Sequence, residues 1–174
     1  MTALDGVKGG ALLFLAALIQ VSILNSVTVF SGTPDLLLVT LCAVALLRGS
    51  IFGAVGGFFA GIVVDTATLD TMGVTALLLT LVGYWVGRYG ETTARGRHAP
   101  VLSVGVVTVL YAVASLLVRF LLGEGASPEA VLLGALPPSL LFNLLLALPV
   151  FLFCRWVMSL GHVAEQVREV RLIE

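Results

Sequence analysis

A succession of apolar runs, each closed by a few polar or helix-breaking residues, leaves this chain little choice of solvent. The first runs from Ala11 to Phe30 and ends at Ser31-Gly32-Thr33-Pro34, and the second, Asp35 to Leu47, stops at Arg48-Gly49-Ser50. A third follows from Ile51 to Leu69, a fourth spans Gly73 to Tyr89 ahead of the polar loop Gly90 to Ala99, and a fifth covers Pro100 to Leu122. Beyond Gly123 to Pro128 come a short apolar stretch, Ala130 to Leu136, and a last run from Pro138 to Val157. A helix needs about 20 such residues to cross a bilayer, where its backbone groups must be bonded within the segment. The expected fold class is all-α: a polytopic membrane protein with six transmembrane helices in residues 1–158 and a charged tail over 159–174. The first run is too long for the apolar region of a signal peptide, and no small-residue cleavage pattern follows it. Pro137-Pro138 is expected to separate a short lead-in helix from the last span, since proline breaks a helix interior but is tolerated at its first position.

Composition closes off the alternatives. Hydrophobic residues make up 59% of the chain and charged ones 11%, against roughly a quarter charged in a soluble domain. Nine Lys and Arg with ten Asp and Glu cannot cover the outside of a water-soluble domain. The formal net charge of −1 excludes a polybasic nucleic-acid binder, so membrane lipids are expected partners and nucleic acid is not. Cys42 and Cys154 lie in apolar runs, where they read as small packing residues rather than as a disulfide framework or zinc site.

Lys and Arg concentrate in short cytoplasmic loops. With the amino terminus inside, Lys8, Arg48, Arg88, Arg95, Arg97, Arg155, Arg168 and Arg171 fall on the cytoplasmic side, 8 of the 9 basic residues. The opposite face holds Arg119 with Asp35, Asp65, Asp70, Glu124 and Glu129. Both termini are therefore expected in the cytoplasm. The 13 residues of the second run reach only about 20 Å, which leaves a re-entrant hairpin with the third as an alternative. That hairpin would bury Arg48 near mid-membrane at roughly 2.5 to 3.5 kcal/mol or more, so a crossing is preferred. In the tail, Leu160, Val163, Val167 and Val170 recur at helical spacing, a weakly amphipathic continuation of the last helix that lies on the membrane or docks a partner if it does not fray.

Gly53, Gly57 and Gly61 are four apart, and Asp65 is the next step of the series; on a helix they form one stripe. Small residues permit close backbone contact between helices in lipid, so the stripe is read as helix packing inside the protein or as a partner-binding face. Gly83 and Gly87 make a weaker second instance. Asp35, Asp65 and Arg119 form an expected outer-end polar cluster, in which Arg119 pairs with Asp65 or Asp35; the alternative is that Arg119 snorkels to headgroups while the acids face water. Asn143 and Pro149 are assigned architectural roles in the last helix, an interhelical hydrogen bond and a kink respectively. His98 and His162 stand in polar segments with no ligating neighbours. Gly-x-Ser-x-Gly, His-Glu-x-x-His and phosphate-loop patterns are all absent from the sequence, and the acids lack the glycine setting of intramembrane aspartyl proteolysis. No catalytic, cofactor-binding or metal-binding residue is assigned, and the chain is read as no enzyme.

The stretch from Pro34 to Arg88 resembles the rod shape-determining protein MreD family. Pro34-Asp35 opening a span, the basic turn Arg48-Gly49, Gly57-Phe58-Phe59-Ala60-Gly61 leading to Asp65, and then Gly73 and Tyr84 carry the likeness. Asn143, Pro149 and Arg155 follow in the family's order. The resemblance implies a bacterial inner-membrane subunit of the cell-elongation machinery with no reaction of its own. Its implied partners are MreC, a protein with one membrane helix, and the complex of the RodA glycosyltransferase with a class B penicillin-binding protein. Its implied fold is that of the substrate-binding subunits of energy-coupling-factor vitamin transporters.

That likeness supplies an alternative function, a transporter subunit capturing a small molecule in the outward half of the bundle. The first helix lacks the Ala-x-x-x-Ala pattern by which such subunits dock, and few aromatic residues are available to hold a vitamin ring. A lone channel or lipid-handling protein is a third class, disfavoured because the acids cluster at one end. For the MreC interface the expectation is a groove formed by the Gly53 to Gly61 stripe and the short second span.

Overall fold

The computed structural model describes residues 3–23, 33–69, 71–92, 99–123 and 129–170. The expectations at Asp70, Arg95, Arg97, His98, Glu124 and Arg171 fall outside them. The described chain is helical: α1 Ala3–Ser22, α2 Leu36–Arg48, α3 Ser50–Thr68, α4 Val74–Thr92, α5 Ala99–Leu121 and α6 Leu136–Val170. Three of the six are long and apolar enough to cross a membrane: α3, α5 and the Leu136–Ser159 part of α6. Gly6–Ser22 and α2 are shorter apolar helices, and α4 is diluted by Gly83, Gly87, Gly90 and its charged last turn.

The molecule is built around its shortest helix. All ten residues from Leu37 to Leu46 in α2 are buried, and α2 packs against each of the other five helices. A helix apolar all round belongs in a core, and the one hydroxyl in this stretch, on Thr40, donates to the Leu36 carbonyl one turn back at 2.7 Å. The outward faces of the surrounding helices are equally apolar: Phe59 is 63% exposed, Trp85 68% and Leu145 73%. Water would disfavour that many large exposed side chains; lipid does not.

Two boundaries differ from expectation. Residues Ala130–Ala135 form a π-helical segment that runs directly into α6, so Pro137-Pro138 marks a change of helical type rather than a break. Both prolines fall in the first turn of α6, at the joint where the π-helical turn gives way to the α-helix. At the other end α6 continues to Val170 with Pro149 inside it, so the tail begins as an extension of the last helix.

Candidate functional site

Several of the buried polar side chains stand at helix ends. At the end of the bundle where α2, α4 and α6 begin, the first turn of α2 is held by two other helices at once. Ser139 Oγ in α6 accepts the Thr33 N–H at 3.2 Å, and Asn143 Oδ1, one turn further on, accepts the Asp35 N–H at 2.8 Å. Gln20 in α1 accepts the Leu36 N–H at 2.9 Å and donates to the Pro34 carbonyl at 3.3 Å. Asp35 completes the set as the N-cap, its Oδ1 accepting from Leu38 at 2.9 Å. The first N–H groups of any helix lack partners of their own. Buried at a bundle end they are costly unless capped, so this junction supplies side chains from outside the helix. Asn143, 1% exposed, also donates from its amide to Thr108 Oγ1 in α5 at 3.2 Å, tying α2, α5 and α6 at one point.

Asp65 does the same for α4. It is 1% exposed, and its carboxylate accepts three backbone N–H groups: Gly73 at 2.9 Å, Thr75 at 3.2 Å and Ala76 at 3.2 Å. Asp65 is thus a cap supplied across the α3–α4 turn, where the positive end of α4 and charge-assisted bonds hold the carboxylate. Asp35 likewise turns its Oδ1 to a backbone donor. Arg119, exposed near the end of α5, lines a cavity of about 40 Å³ with Thr71, Thr75, Tyr111 and Ser115.

The glycine stripe points inward to α4. A Cβ at Gly53 would strike the Gly83 carbonyl, one at Gly57 the Leu79 carbonyl, and one at Gly61 the backbone of Ala76. From the other side, Gly83 meets Gly53 and Gly87 meets Gly49 and Ser50. The stripe is thus filled by this chain's own α4, and the expected groove between it and α2 does not exist: α2 sits in the core. At the far end of the hairpin Glu91 caps α3, accepting the Ser50 N–H at 2.7 Å and the Ser50 hydroxyl at 2.9 Å while its other oxygen meets Arg88 at 3.3 Å. The Ser50 N–H, then the Ser50 hydroxyl and Arg88, hold this carboxyl below its ordinary value. Gly49 must be glycine here, since its φ is +94° and a Cβ would meet the Glu91 carboxylate.

Two further spaces adjoin these contacts. An apolar groove of about 250 Å³ lies between α1 and α3, floored by Gly6, Gly10 and Gly56 and flanked by Phe14, Phe52 and Phe59. A polar cavity of about 160 Å³ lies between the start of α2 and the facing sides of α5 and α6. These two polar cavities, about 40 and 160 Å³, are smaller than the roughly 300 to 1,000 Å³ of ordinary small-molecule sites.

Sequence reasoning brought Asp35, Asp65 and Asn143 forward but missed Gln20, Ser139 and Glu91. Signals for two of them are present: Ser139 lies one turn before Asn143 on the same face, and Glu91 is the first acid after the fourth apolar run.

An all-helical bundle with an apolar exterior, helices long enough to span, and buried polar groups used to close helix ends defines a helical membrane protein. The chain belongs to the rod shape-determining protein MreD family, whose model matches residues 6–157. No curated protein and no solved structure matches it. Rod shape determination, a structural role rather than a known catalytic one, is accordingly the function its family defines.

Proposed function

We propose that this chain is a non-enzymatic inner-membrane subunit of the bacterial elongation complex that binds MreC and positions it. The assembly that includes RodA and its class B penicillin-binding partner is thereby directed to the side wall. The observation that carries this reading is the family match across residues 6–157. The bundle's use of its polar groups supports it: among the described residues, no buried side-chain nitrogen or oxygen lacks a partner. In this reading all six helices cross the bilayer, α2 as the buried central one, with both termini in the cytoplasm as the charge asymmetry requires.

The partner's single membrane helix takes the groove between α1 and α3. That groove is open, apolar and floored by glycine, which lets two helices approach closely. Gly10 is the residue to probe, because a Cβ there meets nothing within 4 Å in this chain.

Co-expression with MreC, followed by purification in mild detergent, tests the reading. A stoichiometric complex is expected from the native chain, and Gly10→Leu should release MreC while the isolated bundle keeps its melting temperature. A native chain that is folded yet never retains MreC overturns the proposal, as does a carboxyl terminus that maleimide labels from outside the cell.

A further inference from the structure

The cavity between α2, α5 and α6 has a chemistry that fastening the helices does not use. Asp35, Thr108, Tyr111, Ser115, Ser139 and Asn143 line it. What such a space will hold depends on which hydrogen-bonding capacities remain once the internal bonds are made. The backbone donors at the start of α2 and most of the side-chain donors are spent. The Thr33, Asp35 and Leu38 N–H groups go to Ser139, Asn143 and Asp35. The Asn143 amide goes to Thr108, the Thr108 hydroxyl to the Val104 carbonyl at 2.8 Å, and the Ser115 hydroxyl to the Ala112 carbonyl at 2.9 Å.

Acceptors are left over. Asp35 uses Oδ1 for Leu38, and among the described residues its Oδ2 accepts no hydrogen bond. The hydroxyl oxygens of Ser115 and Ser139 each retain a lone pair. A carboxylate oxygen beside two hydroxyl acceptors invites a cation rich in N–H donors. An anion is disfavoured, because the helix N–H groups that would greet it are already occupied and Asp35 repels it. A chelated metal is disfavoured as well, since among the described residues no three His, Cys, Asp or Glu side chains converge.

We propose that this cavity is a binding site for a primary ammonium group, such as an ethanolamine headgroup bears, with Asp35 as its counter-charge. An ammonium offers three donors and no acceptor, which suits the Asp35 and serine acceptors that the cavity leaves unused. The neighbouring cavity shares Tyr111 and Ser115 and contains Arg119, so a phosphate following the ethanolamine would lie beside a guanidinium. The ligand is then the headgroup of an aminophospholipid or a soluble phosphoethanolamine. This inference rests on the cavity alone and stands or falls apart from the MreC reading.

Native mass spectrometry of the purified full chain, given equal amounts of phosphatidylethanolamine and phosphatidylcholine, is the test. Phosphatidylcholine carries the same charge but no N–H donor. Retention of phosphatidylethanolamine by about tenfold is expected, the order of one charge-assisted contact. Asp35→Asn keeps an equally good N-cap but removes the charge and should abolish the preference. Ser115→Leu should abolish it by filling the cavity, and it decides the question by itself if Asp35→Asn does not fold. Calorimetry with sn-glycero-3-phosphoethanolamine separates the sources: Asp35-dependent binding shows that the soluble amine suffices, and binding of the lipid alone assigns the site to the membrane. No preference over phosphatidylcholine, or a preference that survives both substitutions, overturns the proposal.

Discussion

The α3–α4 hairpin and the α2–α5–α6 junction solve the same problem in opposite ways. In the hairpin, Gly53, Gly57 and Gly61 let two backbones touch, and a Cβ added at any of them would collide with main-chain atoms of α4. At the junction the helices stand further apart and are joined by amide and hydroxyl groups from Gln20, Ser139, Asn143 and Thr108. The first arrangement puts backbone against backbone. The second leaves a cavity of about 160 Å³ with unused acceptors. Lipid gives helices no hydrophobic reason to associate, so they must be joined by close contact or by hydrogen bonds; hydrogen bonds allow the separation in which a ligand site can form.

Breaking the hairpin should have the largest effect. Gly57→Leu drives a side chain into the Leu79 carbonyl, where overpacking costs about 1 to 3 kcal/mol and more against rigid backbone. The variant should lose its folded fraction in detergent unfolding, unlike Gly10→Leu. Removing the cap that closes the hairpin comes next: Asp65→Ala strands three N–H groups, a loss of about 3 kcal/mol. Asp65→Asn, which keeps an acceptor, should lose less, and unfolding in mixed micelles measures both. At the junction, Asn143→Leu strands the Asp35 N–H and should cost about 1 kcal/mol, a smaller loss because the other links survive.

The smallest effect is expected at Glu91. Its carboxyl is held below the ordinary 4.5 by Ser50 and Arg88, so its contribution is complete above that value and is lost as pH falls through the lowered pKa. The stability gap between the native chain and Glu91→Gln should therefore be widest near neutrality and close in acid, read from unfolding at a series of pH values.

Much of the hairpin was legible from the sequence, because four-residue spacing is a local property of a helix and places Gly53, Gly57, Gly61 and Asp65 on one face whatever surrounds them. The junction was less so. Asn143 stands out as an amide in an apolar run, but nothing local ties it to the Asp35 N–H, 108 residues away. Glu91 reads as a solvated loop acid until the return of α4 brings it to Ser50, 41 residues back. Counting charges at one end brought Asp65 forward, but it takes no account of the backbone donors of α4 that its carboxylate accepts.

The apolar runs and their punctuation by themselves determined the helices, their near boundaries and the oily exterior, since backbone groups in hydrocarbon can be satisfied only within a helix. The tertiary structure alone decided that the shortest helix is the centre, that the glycine face turns to α4, and that Asp65 serves a neighbouring helix end. Those outcomes depend on which unsatisfied N–H groups and which flat surfaces meet once the helices pack, and that is a property of the assembled bundle rather than of any one segment.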